Sequence, residues 1–164
     1  MGQQIKTTAP KVVVNASIFL ALVLRDEPED IRQGARRLMQ AISMHQIEAH
    51  VPERFEDEVL GGLVEAVTKG RPLLATPIAI FMALQRFMGF MMVHRRGVDW
   101  SAEEVFNAAL RWRVSYYDAL YLVVAQKVGA TYWTADKKLF RFLQRQKFAD
   151  LPKVSWIGNF AQKT

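Results

Sequence analysis

The chain reads as alternating apolar blocks of two kinds. Lys11-Val-Val-Val-Asn15 is a continuous β-branched run, which predicts a strand buried on both faces of a parallel sheet. Ala16 to Leu24 is apolar and helix-compatible. Asp26-Glu27-Pro28 restarts a helix, with acids in the first turn and Ile31, Ala35, Leu38 and Ile42 at helical spacing. Ile47 to Val51 predicts a second strand closed by Pro52, and Phe55, Val59, Leu63, Ala66 and Val67 form one face of the helix that follows. After the break at Gly70-Arg71-Pro72, Thr76-Pro77 reads as an N-cap with proline at the first helical position, opening a Met- and Phe-rich helix to about Met92. A short strand is expected within 92–99. Ser101-Ala-Glu-Glu104 is a capping box for another helix, and Ser115 to Val128 predicts one more, stopped by Gly129. Thr131–Thr134 reads as a strand, Asp136–Lys147 as a helix and Val154–Ile157 as a last strand.

Strands separated by helices imply an α/β fold, a parallel sheet of four to five strands with helices on both faces. No repeat or linker interrupts this order. Residues 1–10 read as a loose tail, and 11–160 as one domain.

Composition narrows the chemistry. The 164 residues include no cysteine, which excludes thiolate zinc sites, iron–sulfur clusters, disulfides and cysteine nucleophiles. The three histidines, His45, His50 and His94, lack the spacing of a histidine-rich metal site. With 22 basic and 16 acidic residues the net charge is +6, a modest bias toward polyanions. The first ten residues lack the apolar stretch of a signal peptide, and Gln85 and Arg86 interrupt the most apolar segment, Thr76 to Val93. A cytoplasmic protein with no membrane association is expected.

Ligands of open parallel sheets bind beyond the carboxyl ends of the strands. Asn15-Ala16-Ser17 follows the first strand there, and Ala135-Asp136 follows the strand ending at Thr134. Glu58 and Asp118 stand in the early turns of helices that flank those strands. Each has a bland explanation. Asn15 and Asp136 suit helix N-caps, Asp118 suits a Ser115 capping arrangement, and Glu58 sits among the helix charges Glu53, Glu56 and Asp57. Asp118, however, leads directly into the apolar run Ala-Leu-Tyr-Leu-Val-Val-Ala. A carboxylate in such a crevice is costly unless it is paired or meets a cation. Clustered carboxylates, as hard oxygen ligands, favour Mg²⁺ or Mn²⁺, which can activate water and stabilise charge on a phosphodiester.

Four blocks make this specific. Val12-Val-Val-Asn15-Ala-Ser17 resembles the opening of PIN-domain proteins, and Pro52-x₅-Glu58-Val-Leu their second block. Ser115-Tyr-Tyr-Asp118-Ala-Leu-Tyr-Leu-Val-Val-Ala is close to the third block, and Thr134-Ala-Asp136-Lys-Lys-Leu resembles the fourth. The resemblance implies a PIN-like α/β/α sandwich and a Mg²⁺- or Mn²⁺-dependent endoribonuclease of the VapC-like toxin type. Such an enzyme hydrolyses RNA phosphodiesters with a metal-activated water, and the family context implies a cognate antitoxin and a homodimer. It further implies that Asn15, Glu58, Asp118 and Asp136 form the catalytic metal site, with Ser17 and Thr134 orienting the carboxylates. The family's first acid is Asn15 in this chain. Its amide offers an oxygen without a charge, so metal affinity and activity are expected to fall, whether asparagine is native or substituted there. The alternative reading is a catalytically impaired PIN-like module that binds RNA or protein.

Two surface features remain. Lys137, Lys138 and Arg141, with Arg145 and Lys147, read either as a phosphate-binding rim for RNA or as an ordinary solvated helix face. The Met-rich segment after Ile78 reads as core filler or as an adaptable partner surface. Trp112, between Arg111 and Arg113, reads as core more readily than as a base-stacking platform.

Overall fold

The computed structural model describes residues 9–162. The expected tail falls largely on residues 1–8, which lie outside them. Pro10 is already tied down, its carbonyl accepting a hydrogen bond from the Glu48 amide. The elements are β1 (Lys11–Val14), α1 (Ala16–Val23), α2 (Glu29–Ser43), β2 (Glu48–Pro52), α3 (Arg54–Thr68), α4 (Pro77–Met88), β3 (Met91–His94), α5 (Ala102–Trp112), α6 (Tyr116–Val128), β4 (Thr131–Thr134), α7 (Lys137–Gln146) and β5 (Val154–Trp156), closed by a 3₁₀ helix over Ile157–Gln162.

All strand pairs are parallel, in the order β3-β2-β1-β4-β5. The chain builds outward from β1 to β3, then returns to the other side of β1 for β4 and β5. The reversal falls between β1 and β4, so the carboxyl ends of these two strands open a crevice. Successive residues Val12, Val13 and Val14 are all buried, as are Tyr132, Trp133 and Thr134, so both faces of the central strands are covered. Helix α6 packs across β1, β2 and β4 and carries α5, while α1 packs on α2 and α3. Because α6 precedes β4 and α3 follows β2, both helices present their N-termini at the carboxyl edge of the sheet.

The apolar patterns explain this packing. The whole of Ala119–Ala125 is buried, which is why α6 shows no polar stripe. The α2 backbone lies so close to the 3₁₀ helix that a Cβ at Gly34 would stand 2.1 Å from the Ile157 carbonyl oxygen. Two expectations shift. Helix α4 stops at Met88 rather than near Met92, because Gly89 caps it and the following Met91–His94 are taken up by the β2 edge. The segment expected as strand to Ile157 turns into the 3₁₀ helix at that residue. Trp112 is wholly buried and its indole N–H donates to Asp150 at 3.0 Å, so it is unavailable to a base.

Candidate active site

The crevice is assembled from the ends of β1 and β4 and the starts of α3 and α6. The Asn15 amide N–H donates to the Trp133 carbonyl at 3.1 Å, which sets the end of β1 beside the end of β4. Three local caps then fix the candidate side chains. Asn15 Oδ1 accepts from the Ser17 amide at 2.8 Å, Asp136 Oδ1 from the Leu139 amide at 3.0 Å, and Ser115 Oγ from the Asp118 amide at 3.1 Å. The bland capping roles are therefore real. Two of the capped positions, Ser115 and Asp136, also line the cavity described next.

Asp118 and Asp136 line one cavity of about 340 Å³, together with Arg113, Ser115 and Lys138. Burial raises the Asp118 carboxyl above the ordinary range, the Ser115 hydrogen bond opposes this, and the nearby Asp136 charge adds to the rise. Glu58, from α3, is close enough to feel the same field. Burial raises its pKa, Arg54 pulls it down, and Asp118 pushes it further up. Arg54 Nε stands 3.4 Å from Glu58 Oε1 and tethers it. Asn15 joins the group through a tyrosine, its Nδ2 donating to Tyr132 Oη at 2.7 Å. The charges of Asp118 and Glu58 both act on that buried Tyr132 hydroxyl, and burial holds its pKa far above the usual range. The four expected positions thus face one region, but not as one tight ring. Among the described residues no three His, Asp or Glu side chains gather closely enough to ligate one ion.

Ser17 and Thr134 act on the backbone that carries Asp136 rather than on the carboxylates. Ser17 Oγ accepts from the Ala135 amide at 3.2 Å, and Thr134 Oγ1 from the Asp136 amide at 3.0 Å. Of the basic trio, Lys138 reaches the cavity, whereas the Lys137 ammonium lies 4.5 Å over the Trp156 ring. Arg141 projects from the exposed side of α7.

Three features escape a reading of the sequence. The Tyr121 and Tyr132 hydroxyls point into the carboxylate region from residues that otherwise look like core. Tyr121 Oη and Glu58 Oε1 are both buried with no well-formed hydrogen bond. Arg113, forced into a left-handed conformation (φ 56°) at the α5 C-cap, turns toward Asp118 and Asp136. His50 Nδ1 meets His94 Nε2 at 2.8 Å and His50 Nε2 meets Glu48 Oε1 at 2.7 Å, so both nitrogens of His50 and one of His94 are engaged.

A hard cation fits this donor set in a limited way. Mg²⁺ is commonly held by one or two carboxylates and keeps several waters. Asp118 and Asp136 supply such a pair, and Glu58, whose Oε1 is ion-paired with Arg54 but makes no hydrogen bond, is a further acceptor nearby. Asn15 is the poor fit, because its only oxygen already caps α1.

No family model matches the chain, and no curated protein matches it. Solved structures do. PAE2754 from Pyrobaculum aerophilum superposes with a TM-score of 0.64 at 19% identity, over 94% of this chain and 96% of that one. A chain of VapBC2 from Rickettsia felis, solved bound to a promoter DNA fragment, gives 0.54 at 12% identity over 89% and 98%. A chain of VapBC-1 from nontypeable Haemophilus influenzae gives 0.53 at 12% over 90% and 98%. At such identities the likeness is one of fold. The chain therefore has the PIN-like, VapC-like fold that its four sequence blocks resemble.

Proposed function

We propose that this protein is a metal-dependent endoribonuclease of the toxin–antitoxin type, weakened by Asn15. The observation that carries this reading is the pairing of Asp118 with Asp136 in one cavity at the sheet's switch point, with Glu58 within their electrostatic reach. When bound, Mg²⁺ or Mn²⁺ supplies Lewis-acid charge at the phosphodiester and acidifies a water. Asp118 and Asp136 would hold the ion. Glu58, whose half-buried carboxyl keeps its proton to higher pH than usual, would exchange a proton with the reacting water or leaving oxygen. Arg113 and Lys138 would orient the phosphate from the rim of the same cavity. Thr134 and Ser17 keep the Asp136 turn rigid.

The partner side of the proposal rests on α3, α4 and the fold. Helix α4 buries Ile80 and Leu84 but leaves Ile78 66% and Met82 62% exposed, and Val64 of α3, 66% exposed, shares a shallow apolar cavity with Pro77 at the start of α4. This apolar face offers more than core filling and would be covered by an antitoxin segment or by a second copy. Two of the similar structures are VapBC complexes. No helix among the described residues is long and apolar enough to cross a membrane.

A second reading has its own support. Both polar atoms of the Asn15 side chain are already engaged, Oδ1 by the Ser17 amide and Nδ2 by Tyr132 Oη. A chain with that residue in place can bind RNA or protein without cutting. One experiment separates the two. The Asn15→Asp variant should cleave single-stranded RNA with Mg²⁺ or Mn²⁺, and adding Asp118→Ala should abolish the cleavage. An Asn15→Asp variant that never cleaves favours the binding module, and cleavage that survives the second change points to a contaminating nuclease or a different site.

A further inference from the structure

A second cavity of about 320 Å³ adjoins the carboxylate crevice. It lies between the start of α3, the loop after β3 and the start of α6. Arg54, Asp57, Arg96, Trp100, Tyr116 and Tyr117 line it. The start of α6 connects the two cavities, Tyr116 and Tyr117 lining one and Ser115 and Asp118 the other. Arg54, which tethers Glu58, also lies 3.6 Å over the Tyr117 ring, and Tyr117 immediately precedes Asp118.

The lining combines flat surfaces with polar edges. Tyr116 and Tyr117 stand edge to face at 5.5 Å, and Tyr117 is 45% exposed. The Trp100 indole N–H donates to the His94 carbonyl at 3.3 Å, which fixes that ring as a buried floor. The Arg96 amide is held by Glu53 Oε1 at 3.0 Å, leaving its guanidinium at the rim. Asp57 is exposed and enters no ion pair or side-chain hydrogen bond among the described residues. The exposed Asp57 carboxylate favours an occupant with N–H donors over a bare phosphate. Such an occupant is a flat group that stacks on aromatic or guanidinium planes and offers N–H donors at its edge.

We infer that this cavity seats a guanine base of the RNA next to the nucleotide whose phosphate lies at Asp118 and Asp136. Guanine presents two adjacent N–H donors, N1–H and the N2 amino group, which one carboxylate can accept together. Adenine and uracil offer no such pair on that edge. Asp57 reads the base, the stacked Arg54–Tyr117 pair supplies the plane on which it lies, and Arg96 neutralises its neighbouring phosphate. The inference rests on the ribonuclease reading, because that reading is what brings RNA to the crevice.

The test uses nucleotide binding, which needs neither cleavage nor metal. The full chain, labelled with ¹⁵N, is titrated in EDTA with 5′-GMP, 5′-IMP and 5′-AMP. GMP should shift the amides of Asp57, Arg96 and Tyr117, at a half-saturating concentration about fivefold or more below that of AMP, since a carboxylate left without its donors is penalised. IMP, which lacks the N2 amino group, should fall between them. Asp57→Asn, an exposed change whose spectrum reports its own folding, should bring GMP and AMP within about twofold. Tyr117→Ala should weaken all three nucleotides. Equal GMP and AMP binding, or shifts confined to Arg113 and Lys138, overturns the inference. Cleavage by Asn15→Asp with no guanine preference overturns it too, and leaves the nuclease reading standing. GMP seated at Asp57 in a chain whose Asn15→Asp variant never cuts supports the base site and refutes the nuclease instead.

Discussion

The charge missing at Asn15 is the feature whose restoration has the most calculable consequence. Asn15→Asp keeps the cap of α1, because aspartate caps as well as asparagine. It also keeps a partner for Tyr132, whose hydroxyl can turn from acceptor to donor. What changes is electrostatic. Two carboxylates separated by about 6 Å repel by about 3 kcal/mol at an effective dielectric of about 20, which sets the scale for the new charge. Asn15 is half-buried, so water screens part of this, and a net loss of about 1–2 kcal/mol is expected in EDTA. For a chain of this size that lowers Tm by about 2–8 °C. Divalent metal should reverse the sign. An ion at 100 times its Kd returns about 2.7 kcal/mol, so Mg²⁺ at millimolar levels should raise Tm of the variant well beyond its effect on the parent chain. The assay is thermal unfolding of both proteins with EDTA and with Mg²⁺ or Mn²⁺. The reasoning fails if the variant melts higher than the parent in EDTA, or if metal shifts the two equally.

Other consequences are accessible to the same material. Asp118 and Glu58 keep their protons to higher pH in the folded state than unfolded, so between the ordinary carboxylate range and their raised values the folded chain binds more protons, and stability contributed by these sites falls as pH rises. Asp118→Asn should therefore be more stable than the parent at pH 7 without metal, with the difference shrinking toward pH 4; a difference that grows on acidification contradicts the assigned burial. Gly34→Ala should destabilise by about 3 kcal/mol or more in denaturant melts, because its Cβ meets backbone, while Gly61→Ala, which opens into free space, should stabilise by about 0.5–1 kcal/mol; equal effects at the two sites would refute the packing of α2 on the 3₁₀ helix. Lys138→Ala should weaken RNA binding and lower the slope of log K against log salt by about one unit, whereas Lys137→Ala, already engaged by Trp156, should do less; the reverse order would move the nucleic-acid face away from the crevice.

Much of the architecture is legible because its local signals agree with each other. The Val12–Val14 run, the Ser101 capping box, and the Gly129 stop each act within a few residues, and the structure realises all three. Positions where one stretch carries two signals were harder. Met88 to Met92 continues the apolar pattern of α4 and also supplies the edge strand β3, and only Gly89 marks the boundary. The 3₁₀ helix after Trp156 has no cap or period of its own; it is shaped by the groove that Gly34 leaves on α2. The site shows the same division. Asn15, Ser115 and Asp136 announce themselves as caps at strand–helix junctions. Tyr132, Tyr121, Arg54 and Arg113 do not, because their contribution depends on distant chain segments meeting. A hydroxyl-bearing aromatic two residues before Thr134, on the same face of β4, is the available hint for Tyr132.

The central claim is that a divalent cation sits between Asp118 and Asp136. Crystals of the Asn15→Asp variant grown with Mn²⁺ and measured at the manganese absorption edge test it most directly. The account predicts one strong anomalous peak at about 2.2 Å from a carboxylate oxygen of each residue, lost in Asp118→Ala. A manganese peak bound elsewhere on the surface, or an empty crevice at millimolar Mn²⁺, would contradict it.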